Sequence, residues 1–333
     1  MTGRMIPIDA VITWVDGDDI SHREKRRRYA SADELVNDDV AGEIRFKSVG
    51  EIRYCVASIL RFAPFIRKIF IVTDGQDPCL DGFINAEFPD RTTEIEIVDH
   101  KAIFEGYESC LPVFNSLTIE TVLWRIPGLS DHFIYFNDDV MLAAPVEPED
   151  FFVGDKLVCY ASRMSWHFAA FLRWAKHLGR SHKVFGFKDA MINSASLIGR
   201  HSTFLLFDHI PHTVLRDVLE DYFTAHPEDL KSNISHRFRD PSQYNTQELC
   251  YLLAKEQGRS VIRSSKDDYL YIYPRSKKNY IDDKIKRFDA CPKAKFLCVN
   301  SLNNASPEDV DKVLSWLEKR LGLSAVSSPV LAD

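Results

Sequence analysis

The sequence predicts an α/β fold built on a mostly parallel, twisted sheet with flanking helices. Over the first 145 residues, short apolar runs rich in β-branched side chains alternate with helical patterns, and each run ends at an aspartate. Parallel strands need crossover connections, which are usually helices. The chain has 333 residues, 45% of them hydrophobic, which is enough for one large core and excludes a disordered or fibrous protein.

The elements of the first half follow one another in the order strand, helix, strand. A helix opens on the capping box Ser48-x-x-Glu51, continues with apolar side chains at helical spacing, and is broken by Pro64. A second helix covers residues 116–124. The runs that predict strands are residues 10–15, 68–73, 94–98 and 132–136.

The second half has a less regular pattern, in which residues 164–178 predict an aromatic, basic amphipathic helix. Such a helix either packs against the core or touches a membrane surface or a lipid-linked molecule. Ser306 and Pro307 predict the start of a helix that ends near Leu321. Because no repeat or linker divides the chain, we expect one compact unit over residues 1–322 and a frayed tail over 323–333.

Composition excludes several classes of protein. Lys and Arg number 42 against 49 Asp and Glu, so the net charge is −7, and nucleic acid is not an expected partner because binding it depends on basic side chains. Neither a signal peptide nor an apolar run long enough to span a bilayer is found. The seven cysteines contain no C-x-x-C pair, which favours reduced thiols in a cytoplasmic protein.

An aspartate ends each of the four predicted strands, namely Asp16, Asp74, Asp99 and Asp138. Ligands of open α/β sheets bind beyond the carboxyl ends of the strands, so these side chains are candidates for a binding site. Aspartate is also a common turn residue for local reasons. Four together favour the binding site.

Two further groups of residues suit phosphate chemistry. Asp138 and Asp139 suit Mg²⁺ or Mn²⁺, because hard cations prefer carboxylate oxygens, but they share a site only if the chain turns after the strand. The pair His209 and His212 suits a general base or hydrogen bonds to phosphate, and a loop or a partly buried histidine explains it equally well. Arg239 suits a phosphate or a surface ion pair.

Motifs in a fixed order resemble the four conserved regions of the Stealth family, over about residues 8 to 305. This family includes bacterial capsular and exopolysaccharide phosphotransferases and the animal enzyme that puts N-acetylglucosamine 1-phosphate on lysosomal glycoproteins. The matching segments are Thr13-Trp14-Val15-Asp16-Gly17, Glu51-Ile52-Arg53-Tyr54, Ile71-Val72-Thr73-Asp74-Gly75, Leu111-Pro112-Val113-Phe114-Asn115-Ser116, Asn137-Asp138-Asp139, His209-Ile210-Pro211-His212, and Phe238-Arg239 through Asn300. Phe46-Lys47-Ser48 and Asn300-Ser301 depart from the family pattern by lacking its acids.

The resemblance implies a GT-A-like nucleotide-sugar transferase fold with a helical second half. It also implies transfer of a hexose 1-phosphate, expected to be N-acetylhexosamine 1-phosphate, from a UDP-sugar to a glycan hydroxyl, with release of UMP. Residues 8–145 would then bind the nucleotide-sugar, the mainly helical residues 146–305 would complete the site, and residues 306–322 would form the C-terminal helix. An association with the inner membrane or a capsule-export complex stays open.

The resemblance also assigns the candidate site residues to tasks. Asp138 and Asp139 would hold the metal, and His209, Arg239, Asp138 and Arg53 are the candidates for catalysis. The general base stays open between His209 and an aspartate. The residues expected to bind substrate are Asp16, Gly17, Asp74, Asn115, Ser116, His212 and Asn300.

Two rival functions remain compatible with the sequence. A metal-dependent glycosyltransferase would use the same Asp-Asp pair but would release UDP. A non-catalytic glycan-binding protein of capsule assembly would bind these molecules without consuming them.

Overall fold

A computed structural model describes residues 6–30, 49–168, 187–266, 268–275, 279–291 and 294–324 of the chain. Its strands are β1 Ile8–Thr13, β2 Ile66–Thr73, β3 Glu94–Asp99, β4 His132–Asn137, β5 Val140–Leu142, β6 Phe152–Val153, β7 Lys156–Ser165, β8 Thr203–Phe207, β9 His212–Leu215, β10 Ser260–Arg263, β11 Tyr269–Ile272 and β12 Phe296–Val299. Its helices are α1 Ile20–Tyr29, α2 Glu51–Phe62, α3 Asp81–Glu87, α4 His100–Ile103, α5 Ser116–Glu120, α6 Pro148–Phe151, α7 Phe187–Leu197, α8 Arg216–Ala225, α9 Pro227–Ile234, α10 Thr246–Glu256, α11 Tyr280–Asp289 and α12 Pro307–Leu321.

The central sheet has the strand order β3-β2-β1-β4-β9. The strands β1 to β4 are parallel, and only β9 at one edge runs antiparallel to its neighbour. The chain builds outward from β1 to β2 and β3, then returns to place β4 on the other side of β1. This reversal is the kind of switch point at which open α/β sheets leave a crevice beyond the strand ends.

The predicted α/β fold with a mostly parallel sheet is confirmed, and the four predicted strands of the first half are present. Ala10, Val11 and Ile12 of β1 are fully buried, which explains why this strand appears in the sequence as a continuous apolar run rather than an alternating one. The helix predicted after Ser48 is α2, and the C-terminal helix α12 begins after Ser306, whose hydroxyl accepts a hydrogen bond from the Asp309 amide.

The helix predicted over residues 116–124 is shorter than expected. It ends at Glu120, and a 3-10 turn follows at Leu123–Arg125. The Thr121 hydroxyl donates a hydrogen bond to the Leu117 carbonyl at 2.6 Å, an interaction that competes with regular helical bonding. Glu120 is therefore the last residue of α5 and lies close to the sheet edge.

The second half contains the predicted C-terminal helix and more strand than its sequence indicates. β12 lies between β11 and β5, while β7 pairs with β6, β8 and β10. Most of these strands have only two to five residues, and short apolar runs do not show whether they are strand or helix. Because β5 follows Asp139 directly, this small sheet joins the second half to the end of β4.

An ion pair fixes the opposite, amino-terminal end of β1. Asp9 is fully buried and accepts two hydrogen bonds from the Arg67 guanidinium, at 2.8 and 2.6 Å. Its carboxylate also accepts a hydrogen bond from the Ser130 amide at 2.7 Å. These bonds tie β1, β2 and the segment before β4 together at the end remote from the crevice.

The predicted amphipathic helix over residues 164–178 begins two residues too early, because Met164 and Ser165 belong to β7. Residues 166–168 are helical, and residues 169–178 lie outside the described residues. Within the described ranges, every helix is too short or too polar to cross a bilayer.

Candidate active site

A cavity of about 390 Å³ opens where the carboxyl ends of β1 and β4 meet. Thr13 and Trp14 line it from the end of β1, and Asn137 from the end of β4. The second half contributes lining residues as far along the chain as Asn303. The cavity therefore lies at the switch point of the sheet, and both halves of the chain form its wall.

Asp138 and Asp139 both line this cavity. They form a turn between β4 and β5, which satisfies the condition under which adjacent side chains can share one site. The Asn300 amide donates to Asp139 Oδ2 at 2.9 Å. Desolvation, followed by the nearby Asp139 and Glu51 carboxylates, raises the pKa of Asp138 well above its usual range, and desolvation also raises the pKa of Asp139.

This pair of acids fits a divalent cation. Among the described residues, no lysine or arginine forms an ion pair with Asp138 or Asp139. Two adjacent carboxylates in a poorly solvated site repel each other, which makes a bound cation favourable there.

Glu120 and Arg239 form a second charged group in the cavity. Glu120 is buried at the end of α5, and desolvation raises its pKa, while the nearby Arg239 acts in the opposite direction. Arg239 donates from Nη2 to the Ser116 hydroxyl at 3.1 Å. Ser116 thus helps to orient a guanidinium that lines the cavity, and Arg239 in turn lies close to a carboxyl group with an elevated pKa.

Tyr135 connects Glu120 with the strand ends. Its hydroxyl lies 3.2 Å from Glu120 Oε1, 2.6 Å from Asn137 Oδ1 and 3.0 Å from the Thr13 hydroxyl. Burial raises the pKa of Tyr135 well above its usual value, so the phenol stays protonated. A neutral phenol held by three partners gives the floor of the cavity a fixed geometry.

The two histidines of the His-x-Pro-His motif both line the cavity but differ in their surroundings. His212 is buried on β9, directly opposite Tyr135 of β4, and its Nδ1 lies 3.1 Å from the Tyr251 hydroxyl. Burial lowers the pKa of His212 to about 3, so its ring is neutral at physiological pH. His209 is less buried, and its ring lies 5.7 Å from that of Tyr271 at an angle of 21°.

Asn115 anchors the segment that carries Arg239. Its amide donates to the Phe238 carbonyl at 2.9 Å and to Gln243 Oε1 at 2.6 Å, and its Oδ1 accepts from the Leu117 amide. We predicted that Asn115 contacts substrate. Asn115 does line the cavity, and its bonds also position α5 and the Arg239 segment relative to each other. Its contact with substrate stays a prediction.

Two histidines and an aspartate line the cavity from α1 and from the segments that follow β2 and β3. Asp74 lines the cavity and forms an ion pair with Lys25 of α1 at 2.7 Å. His22 and His100 also line it, and burial lowers the pKa of both, that of His100 to about 4. Asp74 is thus placed as predicted, but it is neutralised by a lysine of the chain itself.

Four residues from the sequence prediction do not line the cavity. The Asp16 carboxylate accepts a hydrogen bond from the Asp18 amide, and Gly17 is buried beside it. Asp99 caps α4 through the Lys101 amide, and the Arg53 guanidinium lies 5.0 Å from the centre of the Phe83 ring. Local turn and capping bonds account for the positions of Asp16 and Asp99. The predicted substrate contacts of Asp16 and Gly17 and the catalytic role of Arg53 remain predictions.

The sequence prediction missed several lining residues, above all Glu120, Tyr135, Glu51, His22 and His100. Glu120 had a visible signal, because it interrupts the largely apolar segment from Leu117 to Trp124, and a charge in such a segment is seldom buried without a partner. Tyr135, His22 and His100 gave no comparable signal, because each of them fits the strand or helix pattern of the residues around it.

Comparison with known proteins gives matches over most of the chain. Residues 7–34 match the family model described as Stealth protein conserved region 1, and residues 45–160 match that of conserved region 2. A capsular polysaccharide phosphotransferase of Streptococcus pneumoniae is 32% identical over 72% of this chain and 76% of its own length. An exopolysaccharide phosphotransferase of Streptomyces coelicolor is 32% identical over 92% of this chain, which spans about half (48%) of that relative.

Solved structures show the same kind of fold. The chain resembles the ligand-free bifunctional glycosyltransferase WbbM with a TM-score of 0.52, over 98% of this chain and 51% of that one. The sequence identity is 11%, so this likeness concerns the fold alone. It confirms the predicted glycosyltransferase-like α/β architecture.

Proposed function

The chain belongs to the Stealth family, and we propose that it transfers a hexose 1-phosphate from a UDP-sugar to a hydroxyl of a glycan acceptor in capsule or exopolysaccharide synthesis. UMP is the leaving group, and the sugar we propose is an N-acetylhexosamine. One observation carries this proposal: the acidic pair Asp138 and Asp139 lines the same cavity as Arg239 and Glu120. Such a site offers metal ligands, positive charge and a candidate base to one diphosphate.

The proposed reaction exchanges one phosphorus–oxygen bond for another. The acceptor oxygen attacks the β-phosphorus, and the bond from that phosphorus to the oxygen bridging the α-phosphate breaks. The electron pair of the broken bond leaves with UMP, and the acceptor proton passes to a base. Catalysis of such transfers depends mainly on positioning and on neutralising charge at the phosphoryl oxygens.

Asp138 and Asp139 are the residues that would hold Mg²⁺ or Mn²⁺. When bound, the cation supplies positive charge to the diphosphate and the departing UMP. Asn300 supports this site because its amide fixes the orientation of the Asp139 carboxylate. The two carboxylates alone would repel the donor, which explains why the proposal requires a metal.

Arg239 is the proposed partner of the transferring phosphoryl group. Its guanidinium lines the cavity and is oriented by Ser116, and a planar fork of this kind binds two phosphate oxygens at once. The Asn115 network holds the segment in place. This arrangement supports charge stabilisation that requires little movement during the reaction.

Glu120 is our candidate for the base. An efficient base has a pKa near the working pH, and desolvation raises the pKa of Glu120 toward that range, whereas burial lowers the pKa of His212 to about 3. We therefore assign His212 and His209 to hydrogen bonds with the phosphate or the acceptor. His209 remains the alternative base, and a near-normal kcat in Glu120→Gln would favour His209 over Glu120.

The released nucleotide is the decisive measurement. The full chain is supplied with UDP-N-acetylglucosamine or UDP-N-acetylgalactosamine, Mn²⁺, and repeat units released by mild acid from the host polysaccharide. UMP together with a glycan phosphodiester supports the proposal. UDP would indicate a glycosyltransferase, and an unconsumed donor would indicate a binding protein.

Matched asparagine variants test whether the proposed cavity carries this reaction. Asp138→Asn and Asp139→Asn should each abolish most UMP release. Asp99→Asn is the control, because Asp99 ends a neighbouring strand outside the cavity and asparagine can still cap α4. Equal losses in all three variants would contradict the assignment of the site.

We also propose that the chain acts as one catalytic unit over residues 1–322. Residues 8–145 would hold the donor, and residues 146–305 would complete the site. The support for this division is that the cavity wall takes residues from both parts, including Arg239 and Asn300 from the second.

A further inference from the structure

Three tyrosines, Tyr269, Tyr271 and Tyr273, form a row that we call the tyrosine stripe. β11 is the outer strand of the sheet β11-β12-β5. Alternate residues of an extended strand lie on the same face. The Tyr269 and Tyr271 rings are 6.3 Å apart, and the Tyr271 and Tyr273 rings are 6.3 Å apart and nearly parallel, at 8°.

The stripe begins where the cavity ends. The ring of Tyr271 lies 5.7 Å from that of His209, which lines the cavity. Just beyond Tyr271, the Ile272 carbonyl accepts a hydrogen bond from the backbone amide of Asn300, whose side chain donates to Asp139. The stripe is therefore connected with the proposed metal site on one side and with a cavity histidine on the other.

The outer end of the stripe is open to solvent. Tyr273 has 41% of its surface exposed, which is unusual for a large aromatic side chain that only fills a core. Nearby, two cations lie over the Tyr280 ring: the Arg275 guanidinium is 5.7 Å and the Lys284 ammonium 5.6 Å from the centre of the ring. The Lys284 ammonium also donates to the Tyr271 carbonyl at 3.0 Å.

This combination matches the chemistry of a glycan. A pyranose ring has one face rich in C–H groups, which packs on the flat face of an aromatic ring while the hydroxyls remain solvated. Neighbouring rings about 6 Å apart allow such packing to continue along a chain, and the flanking cations suit a glycan that contains phosphodiesters.

We propose that the tyrosine stripe is the binding track for the acceptor glycan, which leads its terminal hydroxyl past His209 into the cavity. The proposal rests on the proposed function, because it takes the acceptor to be a glycan chain. It separates the two substrates: the donor lies in the cavity, and the acceptor extends from it along β11.

The test removes the exposed ring and compares the two substrates. Tyr273→Ala should raise the KM for the polysaccharide repeat units about 2- to 10-fold, as expected for the loss of one aromatic contact, with a far smaller change in the KM for the UDP-sugar. Tyr273→Trp keeps a flat face and should restore the acceptor KM. Tyr29→Ala is the matched control, because Tyr29 is 44% exposed and lies outside the cavity and the stripe.

A binding measurement without turnover keeps this test independent of the reaction. Calorimetry with the same repeat units, with and without UDP, should show weaker binding by Tyr273→Ala than by the wild type and by Tyr29→Ala. If UMP is never released but this difference is found, the proposed function fails and the track stands. If Tyr273→Ala binds the repeat units as tightly as the wild type, or the wild type binds none, the track is refuted.

Discussion

Arg239 offers the most direct test of how the site works. Its guanidinium lines the cavity and donates to the Ser116 hydroxyl at 3.1 Å. Replacing it with alanine removes a charged donor from the transferring phosphoryl group, a loss of about 2.7 to 4 kcal/mol in comparable sites. This corresponds to a decrease in kcat of about 100- to 1,000-fold.

The cost to folding should be much smaller than the cost to catalysis. Arg239→Ala gives up the hydrogen bond to the Ser116 hydroxyl, worth about 1 kcal/mol, and removes a cation close to the Glu120 carboxyl. Arg239→Lys keeps the charge but loses the planar fork, so it should recover only part of the activity. Thermal unfolding of each variant shows whether the protein remains folded at the assay temperature.

The assay is initial-rate release of UMP at saturating donor, with Arg237→Ala as the control. Arg237 lies two residues away, but its guanidinium donates to the Ser109 and Leu111 carbonyls and it does not line the cavity. Its replacement should leave kcat within a few-fold of the wild type. A kcat for Arg239→Ala within threefold of the wild type, or equal losses in both variants, would refute the role given to Arg239.

Three other changes have defined outcomes. Glu120→Gln should lower kcat by about 100-fold or more. It should also change the pH dependence of stability: the raised pKa of Glu120 means that the native state binds the proton more tightly than the unfolded state, so the free energy of unfolding of the wild type should fall relative to that of the variant as pH rises through this pKa. A difference in the free energy of unfolding, measured with urea, that stays constant across pH would contradict this. Asp139→Asn should raise the Mn²⁺ concentration that its residual UMP release requires, because the cation loses a carboxylate ligand. Wild-type activity that survives a chelator unchanged would exclude the metal. Arg67→Ala should cost about 3 kcal/mol or more in the free energy of unfolding, because Asp9 stays buried without its cation. Lys68→Ala removes ion pairs with the exposed carboxylates of Glu94 and Glu96 and a contact with the Phe70 ring, and should cost only about 1 kcal/mol. Similar urea midpoints for both variants would rule out this explanation.

The sequence allowed the sheet to be predicted because its strands carry their own signal. β1 and β2 are buried on both faces, so they appear as unbroken apolar runs, and the aspartates after them mark the edge of the sheet. The turn at Asp138 and Asp139 was a stated condition, and the structure meets it. Apolar strands and tight turns can be predicted because their signals come from residues that lie close together in the sequence.

The rest of the site depends on contacts between distant parts of the chain. Glu120 meets Arg239, and Asn115 meets Gln243, over separations of more than one hundred residues. Asp16 resembles Asp74 in the sequence, since both precede a glycine after a strand, but only Asp74 lines the cavity. Nothing in the local pattern distinguishes the two.

The distribution of the site along the chain also affects when it forms during synthesis. The Asp139 carboxylate accepts a hydrogen bond from the side-chain amide of Asn300, which lies 161 residues later in the sequence. A ribosome therefore exposes the parallel strands and their acidic edge well before it releases the residue that orients Asp139. A nascent chain that has not reached residue 300 should therefore be unable to assemble a working centre.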